Sequence, residues 1–278
     1  MKKLILLFVL IPVFSFGDIS EWNGMTINTS TNINGCPGFS SLNGATVASA
    51  GAGTDYTQLA SCVAAWMMTG STTETDVSGN GETLTTSAGD SIPTSSDVPS
   101  GYSGTSRDFE LDDSEYLYVA DGGSTDLSGA DQQISIVFWI KSETTGITQY
   151  PVYKWGGGVY AYNCYTNFNN PVFSLRDAAN TTTTLAFGTT SCMDGTWHHV
   201  ALVSNDTDMR VYIDGVLDSN GANNPKTYSA GINNSSSNFL VGYSVDGLMK
   251  EVGVFNTALT AEQVLEIKTY GLDGKNGG

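Results

Sequence analysis

The chain has 278 residues, with 11 basic against 28 acidic side chains and a formal net charge of −17 at neutral pH. This negative charge argues against a nucleic acid or an anionic membrane as partner, because both are themselves strongly negative. Glycine is abundant and charged residues are few, at 14% of the chain, which favours strands and tight turns over helices. The composition therefore predicts an all-β protein whose charge mainly serves solubility.

Residues 1–17 have the pattern of a secretory signal peptide. Lysines at positions 2 and 3 precede an apolar run over residues 4–16, and the small residue Gly17 ends it. The run is interrupted by Pro12 and is too short to span a bilayer. We therefore expect cleavage after Gly17, no insertion into a membrane, and a secreted protein that acts outside the cell or at its surface.

Residues 18–57 repeat a short unit that contains Asn-Gly, at positions 23–24, 34–35 and 43–44. Asn-Gly is the strongest short signal for a two-residue hairpin turn, since both residues accept a positive φ. The segment is therefore predicted to be a small β-rich appendage or stalk, and a flexible leader is the alternative. The remaining chain, 58–278, is long enough for one large β domain.

The cysteines predict disulfide bonds, because their number is even and they follow a signal peptide. They are Cys36, Cys62, Cys164 and Cys192. Three pairings are formally possible, and Cys36–Cys62 with Cys164–Cys192 is favoured because each bond closes a short loop. Metal binding is the weaker interpretation, because the sequence contains no Cys-x-x-Cys pair.

One apolar segment, QISIVFWIK at 133–141, predicts the central strand of a packed sheet. Ile134, Ile136, Phe138 and Ile140 would face one side, and Val137 and Trp139 the other, so both faces of the strand would be buried.

The only convincing helix lies near the end of the chain. Thr260 and Gln263 form the pattern of a capping box, and Gly271 is placed to end the helix. Its buried side would consist of Val264, Leu265 and Ile267. Many short strands and one C-terminal helix indicate a sandwich of two sheets.

Several segments together resemble one known family. They are AAWMMTGSTTETDVSGNGETL, QQISIVFWIKS, DGTWHHVALV with MRVYIDGVL, and GLMKEVGVFNTALTAEQVLEI. In this order they resemble the laminin G-like domains of the concanavalin A-like lectin/glucanase superfamily, over about residues 59–272. The resemblance implies an antiparallel two-sheet jelly-roll sandwich, a fold shared by lectins, adhesins and glycosidases, so it does not fix the function. Lys250 stands where the last strand of such domains usually has an aspartate, which weakens any metal contact there.

The stretch FELDDSEY contains Glu110, Asp112 and Glu115 in a Glu-x-Asp-x-x-Glu pattern. Glycosidases of the same superfamily use this pattern on a strand, where two carboxyls about 5–5.5 Å apart act as nucleophile and acid. Here the alternation of the residues that follow starts a strand only at Leu117, so the acids are predicted to lie on the turn before it. A glycoside hydrolase acting on β-glucans is the alternative function.

Two further groups invite a functional interpretation. Asp121 and Asp126 flank a glycine loop that could hold a structural calcium ion, since carboxylates and free carbonyls suit a hard cation, and many laminin G-like domains carry calcium at the rim of the sandwich. His198 and His199 are adjacent on a predicted strand and so point to opposite faces. We expect one to be a hydrogen-bonded core residue and the other a surface residue.

The segment from 150 to 168 is the richest in aromatic residues. Trp155, Tyr160 and Tyr162 are candidate rings for stacking on a sugar, and Asn163 is a candidate for hydrogen bonding to its hydroxyls. Tyr160 and Tyr162 are two apart, so a regular strand would place them on one face. The competing interpretation is that these rings belong to an ordinary core.

The sequence as a whole predicts a secreted, non-catalytic binding module for a carbohydrate or another cell-surface ligand. Besides the glycoside hydrolase, a structural protein of a surface or appendage is an alternative. The pattern of residues names neither the ligand nor the oligomeric state.

Overall fold

The computed structural model describes residues 41–42, 45–46, 53–70, 72–87, 91–111 and 115–276. The chain divides into two compact units, Met1–Ala50 and Gly51–Gly278. The predicted signal peptide, the Asn-Gly pairs at 23–24 and 34–35, and Cys36 lie outside the described residues.

In the first unit, β1 (Ser41–Leu42) and β2 (Ala45–Thr46) pair antiparallel. Leu42 lies opposite Ala45, so only Asn43 and Gly44 connect the two strands. These two strands therefore form an antiparallel hairpin, while the prediction for the segment 18–57 as a whole stays a prediction.

The second unit is built of strands, with a single α-helix near its end. The strands are β3 (Cys62–Trp66), β4 (Thr73–Glu74), β5 (Leu84–Thr86), β6 (Thr94–Ser95), β7 (Ser106–Phe109), β8 (Leu117–Val119), β9 (Ile134–Ser142), β10 (Tyr150–Gly156), β11 (Val159–Asn167), β12 (Asn170–Arg176), β13 (Thr183–Phe187), β14 (His198–Ser204), β15 (Asp208–Ile213), β16 (Val216–Leu217), β17 (Lys226–Thr227), β18 (Phe239–Tyr243) and β19 (Gly247–Phe255). The helix is α1 (Ala261–Tyr270), and Tyr56–Gln58 and Gly221–Asn223 are short 3₁₀ turns.

These strands form two antiparallel sheets, which confirms the predicted jelly-roll sandwich. The eight-stranded sheet has the order β13-β12-β11-β10-β18-β8-β5-β4. The nine-stranded sheet has the order β16-β15-β14-β9-β19-β7-β6, with β17 beside β15 and β3 beside β19.

The main core lies between the two sheets and follows the predicted alternation of β9. Ile136 and Phe138 enter it from the nine-stranded sheet, and Val152 and Phe173 from the eight-stranded sheet. Val137 of β9 faces the other way, into a second apolar cluster. Both faces of β9 are thus buried, as its continuous apolar run predicted.

Helix α1 covers the second cluster, on the outer face of the nine-stranded sheet. Val264 and Ile267 pack there against Val137 and Tyr212. The predicted capping box is present: Thr260 Oγ1 accepts from the Gln263 amide, and the Gln263 side chain accepts from the Thr260 amide. No helix within the described residues is long and apolar enough to cross a membrane.

Of the three residues predicted to form the buried side of the helix, Leu265 is the one for which the prediction is wrong. Its side chain is 49% exposed. One turn of a helix takes 3.6 residues, so Leu265 lies away from the line that Val264 and Ile267 share towards the sheet.

The domain begins earlier than the predicted boundary at residue 58. The Tyr56 amide donates to the Leu272 carbonyl over 2.8 Å, and the Tyr56 hydroxyl donates to Glu266 over 2.7 Å. The Tyr56 ring is also buried beside Phe255. Residues 53–57 are therefore part of the sandwich and not of the N-terminal segment.

The structure does not contain the predicted Cys164–Cys192 disulfide. Cys62, Cys164 and Cys192 are buried free thiols, and Cys164 and Cys192 belong to the main core. There they pack as small apolar side chains, and burial raises the pKa of the Cys164 thiol well above its usual range. The predicted bond between Cys36 and Cys62 is not formed either, because Cys62 carries a free thiol.

A buried ion pair joins the two sheets. Arg107 of β7 donates from Nε to Glu74 Oε1 of β4 over 2.7 Å, and the two side chains are 0% and 3% exposed. Arg107 also donates to the carbonyls of Ile92 and Thr73, and Glu74 accepts the amides of Thr69 and Gly70. Each charge is therefore surrounded by hydrogen bonds, which a buried pair needs in order to be tolerated.

We predict that Glu74→Gln lowers the free energy of unfolding by about 3–5 kcal/mol, because the buried Arg107 guanidinium would lose the carboxylate that its Nε contacts. Urea unfolding measures this change. The control is Lys275→Gln, which breaks an ion pair whose lysine side chain is 74% exposed and should change stability little. Equal effects of the two substitutions would contradict the prediction.

Candidate functional site

The aromatic segment forms a hairpin of β10 and β11. Gly157 and Gly158 connect the strands with φ angles of 60° and 82°, the left-handed conformation of a two-residue hairpin turn. Ser237 Oγ donates to the Gly156 carbonyl over 3.0 Å, and Ser235 Oγ to the Val159 carbonyl over 2.9 Å. Hydrogen bonds from a neighbouring loop therefore hold this glycine turn in place.

A bulge in this hairpin separates the two tyrosines that were predicted to share a face. Lys154 lies opposite Tyr162, whereas the next residue, Trp155, lies opposite Tyr160. Ala161 is the extra residue, and one extra residue reverses the alternation of side chains in the strand. Tyr160 consequently lies on the outer face with Trp155, and Tyr162 lies on the inner face.

Tyr162 belongs to the core, so the prediction that it stacks on a ligand is wrong. Its ring is fully buried near Phe239. Its hydroxyl donates to the Thr125 carbonyl over 2.5 Å, and burial raises the pKa of this hydroxyl well above its usual range. The bulge explains the error, since without it both tyrosines would face the same way.

Trp155 and Tyr160 form a stacked pair on the outer face. Their ring centroids are 4.6 Å apart and the planes are inclined by 25°. Both side chains are half-buried, so an edge or face of each ring remains accessible. These two predicted residues are therefore brought together.

More aromatic rings gather on the outer face of the eight-stranded sheet, and we call this surface the aromatic face. Its rings are Tyr116, Tyr118, Tyr150, Tyr153, Trp155, Tyr160, Tyr165 and Tyr243. Tyr153 stacks on Tyr243 with centroids 5.4 Å apart, and Tyr150 meets Tyr153 edge-on at 5.2 Å. The rings come from four different strands and the approach to one of them.

Tyr243 reaches this face because of a glycine. Alternation would send Tyr243 into the core after Phe239 and Val241, but Gly242 adopts a φ of 80°. A side chain at Gly242 would also clash with the Phe109 ring, at 2.3 Å. The left-handed residue turns the strand end outward, and Tyr243 is 38% exposed there.

Asn163 lies in the middle of the aromatic face. Directly opposite residues form the row Tyr118–Leu240–Tyr153–Asn163–Ser174 across five neighbouring strands. Asn163 is only 4% exposed, and its Oδ1 accepts no hydrogen bond from any described residue. A buried acceptor without a partner costs about 1–3 kcal/mol. Oδ1 itself has almost no accessible surface, so a ligand or water donor reaches it only when a neighbouring side chain moves.

The sequence interpretation missed most of this face. Tyr118 and Tyr243 lie on strands far from the aromatic segment and join it only through the pairing of β18 with β8 and β10. The alternation of Tyr116 and Tyr118 around Leu117 was the one local signal that could have found two members.

Asp121 and Asp126 do not fit a calcium ion. Lys154 Nζ lies 2.9 Å from Asp121 Oδ1, pairs with Asp126 Oδ1, and donates to the Ser237 carbonyl over 2.7 Å. The ammonium group of Lys154 thus lies between the two carboxylates. A calcium ion bound there would be repelled by this positive charge. Calcium needs six to eight oxygen ligands, and no cluster of three or more metal-ligating side chains occurs among the described residues. Calcium elsewhere in the chain stays a prediction.

The acidic stretch lies between strands, as predicted. Glu110 follows the end of β7 and Glu115 precedes β8, while Asp112 lies outside the described residues. Glu115 Oε2 accepts the Glu110 amide over 3.0 Å, which closes the turn. Partial burial and the carboxylates of Asp108 and Asp246 raise the pKa of Glu110. Desolvation, followed by repulsion from these like charges, accounts for the shift.

The two histidines face opposite sides, but their environments are only partly as predicted. His198 Nδ1 lies 2.9 Å from Asp214 Oδ2, and this contact raises the pKa of His198. His199 is 1% exposed against Trp139, and neither ring nitrogen has a hydrogen-bond partner among the described residues. The core histidine is therefore buried but not hydrogen-bonded, and burial lowers its pKa to about 3.

Comparison with known proteins agrees with the resemblance found in the sequence. Residues 111–265 match the model of the Laminin_G_3 family, which is described as the concanavalin A-like lectin/glucanases superfamily. The comparison with curated proteins gave no match.

The fold is similar to that of several toxin domains of known structure. The binding domain of Paraclostridial Mosquitocidal Protein 1 has a TM-score of 0.58 at 15% identity, covering 75% of this chain and 52% of that one. A botulinum neurotoxin type C structure has a TM-score of 0.53 at 14% identity, with coverage of 75% and 51%. Cell entry of that toxin is described as dependent upon interaction with two ganglioside molecules. The binding domain of botulinum neurotoxin DC in complex with rat synaptotagmin II has a TM-score of 0.52 at 14% identity, with coverage of 75% and 51%. The chain thus spans about half the length of these chains, and the likeness shows the fold alone.

We predict that His199 makes the protein less stable in acid. Above pH 6.5 both folded and unfolded chains hold this ring neutral, whereas between pH 6.5 and about 3 only the unfolded chain protonates it. Stability should fall as pH drops through this window, by about 3 kcal/mol from this group at pH 4. His199→Leu should remove this loss, as measured by urea unfolding at a series of pH values.

The neighbouring histidine is the control for this experiment. The pKa of His198 is raised, so its contribution is complete below pH 6.5 and is lost as pH rises through the folded-state pKa. His198→Gln should therefore leave the acid-side loss in place. The same loss in His199→Leu as in the unmodified protein would show that other groups cause it.

Proposed function

Because the chain belongs to the concanavalin A-like lectin/glucanases superfamily, we propose that it is a binding module that holds a carbohydrate or another cell-surface ligand on the aromatic face. The observation that carries this proposal is the set of half-buried rings around Asn163, whose Oδ1 has no partner among the described residues. A surface with rings for stacking and one unpaired acceptor has what a sugar ligand requires.

The chemistry of a sugar fits both parts of this surface. The axial C–H groups of a pyranose form an apolar face that packs on an aromatic ring, and its hydroxyls donate hydrogen bonds. Stacking on Tyr153 or on the Trp155–Tyr160 pair would bring a hydroxyl towards Asn163, because Tyr153 and Asn163 are directly opposite on neighbouring strands. The tyrosine hydroxyls add further donors and acceptors at the rim.

The similar solved structures support a ligand at a cell surface without identifying it. These proteins are described as a binding domain, as a toxin that interacts with gangliosides and as a domain in complex with synaptotagmin. Within our proposal the present chain acts outside the cell, where residues 1–17 would direct it as a signal peptide.

The proposed activity is binding without turnover. Glu110 and Glu115 lie on a closed turn between β7 and β8, not on a strand with side chains directed into a cleft. We therefore expect no new reducing ends when the protein is incubated with β-glucans. Hydrolysis that Glu110→Gln abolishes would overturn the proposal in favour of a glycoside hydrolase.

We predict that Tyr153→Ala and Tyr160→Ala each weaken glycan binding by about fivefold, because each removes one stacking ring worth about 1 kcal/mol. Ligands would be found on a glycan array with and without calcium, and affinities measured by calorimetry. Tyr162→Phe should leave affinity unchanged but lower the melting temperature, because it removes the hydroxyl that donates to Thr125.

The matched control is Leu265→Ala, which truncates an exposed apolar side chain on the helix that covers the other sheet. It should change neither affinity nor melting temperature appreciably. Unchanged affinity in both tyrosine variants, with a large drop in melting temperature, would mean that the rings of the aromatic face serve only the fold.

A further inference from the structure

One cation lies at the edge of the aromatic face. Arg176 ends β12, and its guanidinium carbon is 5.8 Å from the centroid of the Tyr160 ring. Tyr160 in turn stacks on Trp155, so a half-buried guanidinium adjoins the stacked pair that the bulge at Ala161 turns outward. This contact places a positive charge beside the rings proposed to hold a sugar.

Neutral groups hold the Arg176 side chain in position. Nε donates to Asn180 Oδ1 over 2.9 Å, Nη2 to the Asn180 carbonyl over 2.7 Å, and Nη1 to Thr183 Oγ1 over 3.1 Å. Each terminal nitrogen carries two N–H donors, so these bonds leave one on each for a further acceptor. The side chain is therefore held in position and still has N–H donors without an acceptor among the described residues.

Arg176 also forms no ion pair with a described residue, in contrast to Arg107, Lys154 and Arg210. The adjacent Asp177 is engaged elsewhere: its carboxylate accepts the amides of Thr181 and Thr182 and the Thr181 hydroxyl. Besides the hydrogen bond from Thr181, the Arg176 charge contributes to lowering the pKa of Asp177, but no described carboxylate lies within ion-pair distance of the guanidinium, which leaves its charge available to a ligand.

We propose that the aromatic face selects saccharides that carry a carboxylate, with Arg176 as the partner of that group. This inference rests on the proposed function and names the ligand class. The sugar ring packs on Trp155 and Tyr160, its carboxylate accepts from the free N–H groups of Arg176, and a hydroxyl donates to Asn163 Oδ1. The planar guanidinium suits this task, because it presents parallel donors to a planar carboxylate.

The overall negative charge does not prevent this selection. Charges farther than about 8 Å from the ligand are largely screened at physiological ionic strength. The contact with Arg176 is short-ranged and partly desolvated, and charge-assisted hydrogen bonds of this kind change affinity by about tenfold or more. We therefore expect the local contact to outweigh the distant repulsion.

The test uses two matched pairs of probes with the full-length protein. Sialyllactose is compared with its methyl ester, and trigalacturonate with its methyl ester, because the members of each pair differ only in whether the carboxyl groups are charged or esterified. The acidic member of at least one pair should bind about tenfold or more tightly than its neutral partner. The pair that shows the difference indicates whether a sialic acid or a uronic acid is the source of the carboxylate.

Three variants test whether Arg176 causes the preference for the acidic probe. Arg176→Gln should remove the preference, so that acidic and neutral probes bind with equal affinity, and Arg176→Lys should retain part of it. Arg210→Gln is the control, because that arginine lies on β15 of the other sheet and pairs with Asp208. Melting temperatures of all variants establish that the fold is intact.

The outcomes separate this inference from the proposed function. Equal binding of acidic and neutral probes would overturn the carboxylate preference and leave a glycan-binding face in place. A preference that persists in Arg176→Gln would show that another group recognises the carboxylate. No binding to these probes or to any glycan on the array would count against the proposed glycan recognition itself.

Discussion

Burial of both faces of the nine-stranded sheet is the constraint on which the rest of the structure depends. Strand β9 contributes Phe138 to the core between the sheets and Val137 to the cluster beneath α1. The capping box at Thr260 starts the helix where its apolar side meets that cluster. Once one sheet is covered on both faces, the outer face of the eight-stranded sheet is the broad sheet surface left for a ligand, and the aromatic rings lie there.

Two small departures from regular strand geometry place rings on that surface. The extra residue at Ala161 turns Tyr160 outward while Tyr162 remains in the core, and Gly242 turns Tyr243 outward after Val241. In each case the strand contributes apolar residues to the core over most of its length and changes face only near its end. Such irregularities cost little where the sandwich ends, because few core contacts are lost there, and bulges recur at functional edges for this reason.

The features that could be predicted from the sequence are those determined by residues close together along the chain. The two-faced strand β9, the capping box and the hairpin at Asn43-Gly44 all follow from patterns within about ten residues. The aromatic face does not, because Tyr153 and Tyr243 meet only when β10 pairs with β18. The same limit applies to the predicted calcium loop, whose carboxylates are paired with Lys154, a residue of a different strand.

Adjacent residues of β11 show how core and binding face differ in their polar groups. Tyr162 points inward and its hydroxyl is satisfied by the Thr125 carbonyl, whereas Asn163 points outward and its Oδ1 is not satisfied by any described residue. An unpartnered buried atom is not by itself evidence of a site: both ring nitrogens of His199 are unpartnered too, but they lie beneath a second layer where no ligand can reach. Asn163 Oδ1 has as little accessible surface as those nitrogens, but the residues around it are half-buried rings, and nothing in the described fold forms a layer of strands above it. The cost of leaving an acceptor unpaired is therefore recoverable at Asn163 when a donor binds, and at His199 it is not.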